Sequence, residues 1–557
     1  MVDFRSRTAA VKAALFALTL GVPNMTVQAQ EWTMAARSTV YAPRNAAATS
    51  QPLATSAALE VMNNGGNAID AAVAAAAVLG VVEPHMTGMG GDMFAIVWLA
   101  ETQELIGLDA SGRSGSGMSA AAIRSRGHDR VPGSGPEAVT VPGAVSGWYG
   151  LVGNWGNLSF AQVLEPAIRI AEEGFPVTPI IARQWAATTE KLGRDEGARA
   201  TYLLEGRRAP DAGEWFFNPD LAASYRQLAK EGPGALYGGT LGRKLVDGLS
   251  ELGGFLTLDD LASHEPRWVT PLSTGFRDYT VWELPPAGQG LAALQMMAMA
   301  EGLDLEGMGH NTAEYLHHLI ETKKLAYADL ARYVSDPATM DIDPEALLNR
   351  EYLDGRRQLI DPHRAATRVD PGRAVTDSET IYLATADEDG NMVSFINSIY
   401  SAFGSGVVIP GTGFALQNRG AGFVLDDGHP NQVAPGKRPF HTIIPGFLTR
   451  GDEPVAAFGV MGGAMQPQGH TQLLLNLLVF DMDPQEAVDA PRFRHLSGNR
   501  VAIEGIPDSI RAALEGMGHE IIDWTRTDFG GAQLVMKLPR GWAAASEPRK
   551  DGHAAGN

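Results

Sequence analysis

Residues 377–391, "DSETIYLATADEDGN", decide how this chain is read. Polar Asp377, Ser378 and Glu379 give way at Thr380 to a β-branched and aromatic run, Thr380-Ile381-Tyr382-Leu383-Ala384-Thr385. That run reads as a strand, and Asp389-Gly390 as the tight turn into the next one. A threonine at the head of a strand has two readings. It is an ordinary strand-opening residue, or it is a new N-terminus released when the Glu379–Thr380 bond is cut. The second reading has a chemical logic. A threonine hydroxyl is a weak nucleophile without a neighbouring base, and a freed α-amine, with a pKa of about 7.7–8.0, can take its proton.

Working outward, the residues after Thr380 run through Gly- and Pro-rich turns such as "FGSGVVIPGTGF" and "APGKRPFHTIIPGFL", then into a helical "LLLNLLVFDMDPQEAVDAPRF". The tail after about residue 545 reads as disordered. Before Thr380, residues 160–360 read as largely helical. Residues 50–82 read as a buried helix pair broken at Gly65-Gly66, its second member rich enough in alanine for close packing. "EPHMTGMGGDMFAIVWL" and "LIGLDASGRSGSG" follow as a glycine turn and two strands, which suggests a sheet layered against helices. No internal repeat is present, and the chain reads as one unit with strands at both ends and helices between.

The bulk composition narrows the function classes. At 557 residues the chain can bury a large core, and 45% hydrophobic with 19% charged residues is a globular composition. The 64 acidic against 44 basic residues leave a formal charge of −20, with no basic run to hold nucleic acid. A small-molecule or peptide substrate fits this balance better. The chain has no cysteine, which excludes disulfides, thiolate metal sites and a cysteine nucleophile. Arg5, Arg7 and Lys12 precede the apolar stretch Ala13 to Val22, and Val27-Gln28-Ala29 closes on a small-x-small pattern. Residues 1–29 therefore read as a secretory signal peptide, with a basic start, short apolar middle and cleavable end, and the mature protein as periplasmic or secreted.

Several sites are absent from the sequence. No G-x-S-x-G, G-x-x-x-x-G-K-[ST] or G-x-G-x-x-G pattern occurs, so no phosphate or dinucleotide cofactor is implied. His317, His318 and Glu321 share one predicted helix, with His317 and Glu321 on one face, but a metal needs a third ligand and the spacing is not that of a zincin. No metal is expected there.

Nine stretches together resemble the γ-glutamyltransferases, a family of N-terminal-nucleophile hydrolases. They are "GGNAIDAAVA" (65–74), "EPHMTGMGGD" (83–92), "VPGAVSGW" (141–148), "EGPGALYGG" (231–239), "DSETIYLATADEDGN" (377–391), "FGSGVVIPGTG" (403–413), "APGKRP" (434–439), "GVMGG" (459–463) and "DAPRF" (489–493). The resemblance spans about Ala47 to Pro548. It implies an α+β fold, a four-layer αββα sandwich, made as a precursor that cuts itself between Glu379 and Thr380. The products would be a large fragment, 30–379, and a small one, 380–557, in one structural unit. It further implies that Thr380 attacks an amide carbonyl, that Ser398 hydrogen-bonds it, and that backbone N–H groups at Gly462 and Gly463 hold the oxyanion. Water or an amine acceptor would resolve the acyl-enzyme, with no cofactor.

The departures from the family pattern fall on the residues that would bind substrate. Where γ-glutamyl-binding members carry an Asn, this chain has Tyr400. Where they carry a Gln and an Asp that hold an α-ammonium group, it has Arg419 and Gly422. Their Ser-Ser pair becomes His441-Thr442, and the place of their carboxylate-gripping arginine is Ser111, with Arg113 two residues on. Losing a carboxylate and gaining an arginine disfavours an ammonium and favours an anionic or neutral acyl group, with Arg113 a candidate second clamp. Alternatively Arg419 pairs with Asp426 or Asp427 and never meets substrate. His441 is a pocket residue or a satisfied loop histidine.

The family as a whole favours γ-glutamyl amides such as glutathione. The altered pocket favours a related acylase acting on an amide whose acyl group bears a carboxylate, of the glutaryl or cephalosporin kind. A binding-only relative is the third reading, and the retained Thr380, Ser398 and Gly462-Gly463 argue against it. Homo-oligomers are compatible with all three.

Overall fold

The computed structural model describes residues 37–367 and 379–557. The signal-peptide reading of residues 1–29, and Asp377 and Ser378 before the proposed cut, lie outside the described residues.

Fourteen strands build two seven-stranded sheets. In chain order they are β1 (Val40–Ala42), β2 (Ala46–Thr49), β3 (Asp92–Leu99), β4 (Glu104–Ala110), β5 (Arg267–Val269), β6 (Leu272–Phe276), β7 (Tyr279–Glu283), β8 (Glu379–Ala386), β9 (Met392–Tyr400), β10 (Gly446–Arg450), β11 (Glu453–Met461), β12 (Gly531–Lys537), β13 (Trp542–Ser546) and β14 (His553–Gly556). One sheet runs β1-β13-β12-β11-β10-β7-β6 and the other β14-β2-β8-β9-β3-β4-β5. The sheet pairings are antiparallel throughout.

Side-chain alternation along the strands explains the layers. Tyr382, Ala384 and Ala386 on β8, Phe94, Ile96 and Trp98 on β3, and Ala457 and Met461 on β11 meet in a core between the sheets. Ile381 and Leu383 point the other way, into a core shared with the helices α1 (Pro52–Asn63) and α2 (Ala68–Val82). The outer face of the first sheet packs on α3 (Gly290–Glu301), α4 (Ala313–Tyr333) and α5 (Gln466–Leu478) through residues such as Phe458, Leu473 and Leu316. Helix, sheet, sheet, helix is the four-layer αββα arrangement that the resemblance implies. Gly459 lets the sheets close. A Cβ there would fall 2.4 Å from the Tyr382 ring, so a side chain at 459 would push β8 and β11 apart. The α1–α2 pair, the β3–β4 strands and the Asp389-Gly390 hairpin stand where the sequence puts them.

The region 160–360 is largely helical, as its periodicity predicts, with β5, β6 and β7 set into it at 267–283. These short strands carry mixed half-buried patterns that give little alternation to read. One sequence reading is corrected: the tail after 545 is ordered. It forms the end of β13 and the whole of β14, which pairs with β2.

Between those strands Glu547, fully buried, meets Arg492 at 2.8 Å and Arg549 at 2.7 Å. Burial alone would raise its pKa, but the two guanidinium groups outweigh it and hold the carboxyl down to about 2, from an ordinary 4.5. A carboxyl depressed on folding contributes stability that is present above its unfolded pKa and lost as pH falls through the folded one. The shift corresponds to about 3 kcal/mol. Glu547→Gln is expected to unfold more easily than the parent at pH 7 by about that amount, with the gap closing between pH 5 and pH 2. Urea titrations at a series of pH values measure it.

Among the described residues no helix is long and apolar enough to cross a membrane.

Candidate active site

Thr380, Ser398 and Asp92 stand in a row on neighbouring strands β8, β9 and β3. The Thr380 Oγ1 hydroxyl donates to Ser398 Oγ at 3.2 Å, and Ser398 lies directly opposite Asp92 in the β9–β3 ladder. Each shares strand parity with an inter-sheet core residue (Tyr382, Ile396 and Phe94), so all three face the space between the sheets. The β8–β9 register slips between Glu379 and Ile381, so that Ser398 and Ile399 of β9 form a bulge opposite the single residue Thr380. Bulges re-aim a side chain where regular pairing would fix it. The sequence places Thr380 at the head of a strand; the fold adds that it is almost wholly buried.

The end of β9 is bent by its own chemistry. Tyr400 has φ +79°, a left-handed conformation that costs a bulky residue of order 1–3 kcal/mol. Its N–H donates to Ser398 Oγ at 2.8 Å, which helps to hold the turn. Tyr400 then serves as a floor: the Arg419 guanidinium carbon lies 4.6 Å from its ring centroid. Arg419 Nη1 donates to Thr442 Oγ1 at 3.1 Å, and Gln289 Nε2 bridges the Thr442 and Gly463 carbonyls at 2.5 and 2.7 Å. A continuous chain of contacts thus joins Thr380 and Ser398 to Tyr400, Arg419, Thr442 and the glycine pair.

Arg419 is fully buried, and its Nε and Nη2 have no hydrogen-bond partner among the described residues. Burial pulls the guanidinium down to about 10, which leaves it charged at neutral pH. Its nearest carboxylate among the described residues is Asp92, with Nε 4.0 Å from Oδ2, beyond hydrogen-bonding reach. The expected alternative, a pair with Asp426 or Asp427, does not form. Asp427 instead takes Arg124, and both belong to the outer stretch of the loop. Asp92 is the residue that sequence reading passed over. Its Oδ1 accepts from the Gly112 and Gly143 amides and from Gln417 Nε2, and its Oδ2 lies 2.9 Å from His441 Nε2. His441 Nδ1 faces the Pro439 carbonyl at 2.8 Å, and the ring stacks on Phe94. Of the two readings of His441, the structure gives a histidine whose ring nitrogens both have partners. A buried aspartate at the head of a strand was the only available signal for this hub.

Arg113, one residue after the Gly112 that donates to Asp92, is half exposed; it donates to the Gly436 carbonyl at 2.8 Å and lies 3.9 Å from Asp336.

The glycine pair follows β11. The start of β11, Glu453-Pro454, lines a cleft of about 280 Å³ together with Glu388, Asp389 and Gly390 of the hairpin turn. Met461 and Gly462, at the other end of β11, therefore lie toward the Thr380 end of the sandwich. Gly462 has φ +120° and Gly463 φ +59°. A Cβ on Gly462 would meet Gly530 Cα at 3.1 Å and Met465 Cβ at 3.3 Å. Gly462→Ala is expected to cost about 1–3 kcal/mol in stability and to lower activity by more than that loss explains, checked by thermal unfolding beside the turnover rate.

Next to Tyr400 lies a cavity of about 160 Å³. Tyr327, Tyr400, Phe423 and Phe440 form its aromatic walls, with Gly422 and Asn431 between them, and none of its lining residues is acidic.

The histidine cluster has more behind it than its spacing suggests. His519 approaches His317 at 2.8 Å, and the ligand atoms of His317, Glu321 and His519 lie within 4.8 Å of one another. The helix is not amphipathic with an exposed polar face, since His317, Glu321, Lys323 and Lys324 are all buried. Both Glu321 oxygens are engaged, one by the Lys324 ammonium at 2.7 Å and one by the Ala366 amide at 3.1 Å. A lysine cation stands where a metal would have to compete.

The sequence profile of the family described as Gamma-glutamyltranspeptidase matches residues 54–557. The glutathione hydrolase-like YwrD proenzyme of Bacillus subtilis is 36% identical over 516 residues, covering 90% of this chain and 97% of that protein. The oxamate amidohydrolase proenzyme of Klebsiella pneumoniae is likewise 36% identical, over 522 residues with the same coverage. Among solved structures, the cephalosporin acylase of Bacillus halodurans is 43% identical and superposes with a TM-score of 0.89, covering 94% of this chain and 97% of that one.

Proposed function

The chain belongs to the γ-glutamyltranspeptidase family of hydrolases and acylases, and from that premise we propose that it is a self-cleaving threonine amidohydrolase for an acyl group that carries a carboxylate. Cleavage before Thr380 frees an α-amine and a hydroxyl on the same residue. The amine takes the hydroxyl proton as Oγ1 attacks the amide carbonyl. The backbone N–H groups of the Gly462-Gly463 turn receive the negative charge that develops on the carbonyl oxygen. Collapse expels the amine, which leaves with a proton, and the acyl ester remains on Thr380. Water repeats the sequence and releases the acid, or an amine acceptor takes the acyl group. Ser398 orients the hydroxyl throughout.

One observation carries the substrate class: Arg419, fully buried and one contact from the Thr380–Ser398 pair, keeps two donor nitrogens, Nε and Nη2, without a partner among the described residues. A carboxylate matches those donors, whereas an α-ammonium would meet like charge. The nearby cavity offers an ammonium no acidic residue, and Gly422 supplies none where γ-glutamyl-binding relatives have an aspartate. One relative points the same way, since oxamate is an amide whose acyl group itself carries a carboxylate. γ-Glutamyl transfer is the second reading, favoured by the family description and by the glutathione hydrolase-like relative.

Glutaryl and γ-glutamyl 4-nitroanilides differ only by the α-ammonium group. The glutaryl compound is expected to turn over with a kcat/KM at least tenfold higher. Preference for the γ-glutamyl compound would select the second reading.

A further inference from the structure

We propose that Gln289 is a positioning residue for the amide chemistry, and that its two side-chain N–H groups set the orientation of the Gly462-Gly463 turn. The inference rests on the reading of that turn as the oxyanion site. Gln289 stands at the N-cap position of α3, its side chain making no capping bond to the helix, and is fully buried. One N–H goes to the Thr442 carbonyl at 2.5 Å and the other to the Gly463 carbonyl at 2.7 Å, so a single amide ties together two loops. Thr442 also receives Arg419 Nη1. The turn proposed for the oxyanion and the arginine proposed for the acyl group are thereby held in one register.

The neighbouring peptides are fixed in the same manner. The Gly462 carbonyl accepts from the Met465 amide at 3.0 Å. The Ala464 carbonyl accepts from the Tyr327 hydroxyl and from Gln468 Nε2 at 2.8 Å. Three successive carbonyls are thus engaged. In a trans peptide the N–H lies opposite its carbonyl, so the Met465 bond to the Gly462 carbonyl fixes the direction of the Gly463 N–H, and Gln289, through the Gly463 carbonyl, fixes the peptide plane on the other side of Gly463 and so holds the turn in place before any substrate arrives. Donors oriented in advance need no reorganisation as charge develops. The Gln289 Oε1 atom is buried and without a partner among the described residues, a cost that a purely structural residue would relieve by another rotamer or another side chain. The reversed amide would set this oxygen against two carbonyl oxygens, which fixes the assignment.

Gln289→Met keeps the length of the side chain and removes both donors. In the cut variant, kcat on whichever anilide the parent prefers is expected to fall ~10–100-fold, with KM within about threefold. The boronic acid matched to the acyl group (4-boronobutanoic acid for glutaryl) forms a tetrahedral adduct on Thr380, and its inhibition constant should rise in step with the loss of kcat. The inhibition constant of the free acid, glutarate, should stay put. Unchanged kcat and boronate affinity would overturn the proposal. So would a parallel loss of substrate, glutarate and boronate affinity with a lowered Tm, the mark of a residue that serves only the fold. If Gln289→Met emerges uncut, Tyr327→Phe decides. It removes one donor to Ala464 and leaves the ring in place, and should lower kcat about 3–10-fold with the same split; no change in kcat overturns the idea. Thr380→Ala, run alongside, separates the two levels. Activity in that variant would remove the nucleophile reading itself, whereas an inactive Thr380→Ala beside a fully active Gln289→Met removes only the positioning role.

Discussion

Thr380→Ala is expected to remain one uncut chain and to lose amide turnover by roughly 10⁴-fold or more, the scale seen when an acyl-enzyme nucleophile is removed. The parent should resolve into two fragments under denaturing conditions, the smaller beginning at Thr380. Under native conditions those fragments should travel together. The reason is in the strand order: β2 of the large fragment lies between β14 and β8 of the small one, and β10 of the small fragment pairs with β7 of the large. Cutting one bond unlinks neither sheet. The substitution itself should barely affect folding, because among the described residues the Thr380 hydroxyl makes one hydrogen bond, to Ser398, worth about 1 kcal/mol. Mass spectrometry, N-terminal sequencing and the thermal unfolding midpoint test these statements together. Turnover at the parental rate would remove Thr380 as nucleophile.

Arg419→Met is expected to separate recognition from chemistry. Methionine keeps an unbranched stem over Tyr400 and removes the charge. If the two unpartnered N–H groups bind a carboxylate, the glutaryl anilide should lose ~10²–10³-fold in kcat/KM, since hydrogen bonds to charged groups are worth about 1.5–3 kcal/mol each. The uncharged butyryl anilide should change by less than about fivefold. Arg419→Lys should recover only part of the loss, because a point charge cannot reproduce the planar fork. Equal loss on both anilides would mean that Arg419 serves the fold through Thr442 and Asp92 instead of the substrate.

The sequence by itself determined the elements whose signal is local. Thr380 opens a strand because β-branched and aromatic residues follow it and Asp389-Gly390 turns the chain back. The alanine-rich stretch from Ala68 forms a buried helix because small side chains permit close approach. The family pattern, spread over nine stretches, carried the layered fold and pointed to Thr380, Ser398 and Gly462-Gly463. The short strands at 267–283 and the ordered tail escaped, because each is held by a partner far away in the chain: β14 by β2, and Glu547 by Arg492 and by the nearby Arg549.

Only the tertiary structure decided what surrounds the threonine. Asp92 carries no more local signal of a role than its place at the head of a strand, and Gln289 carries none. Their importance comes from lying within hydrogen-bond reach of groups that are hundreds of positions away or that sit on separate loops, a matter of strand register and loop path. Arg419 shows the difference most plainly. Its identity was legible as a gained charge, but the choice between a neighbouring acid and an incoming anion depended on where the loop buried it. The fold placed it over Tyr400, away from Asp426 and Asp427 and just out of reach of Asp92, with two donors left over.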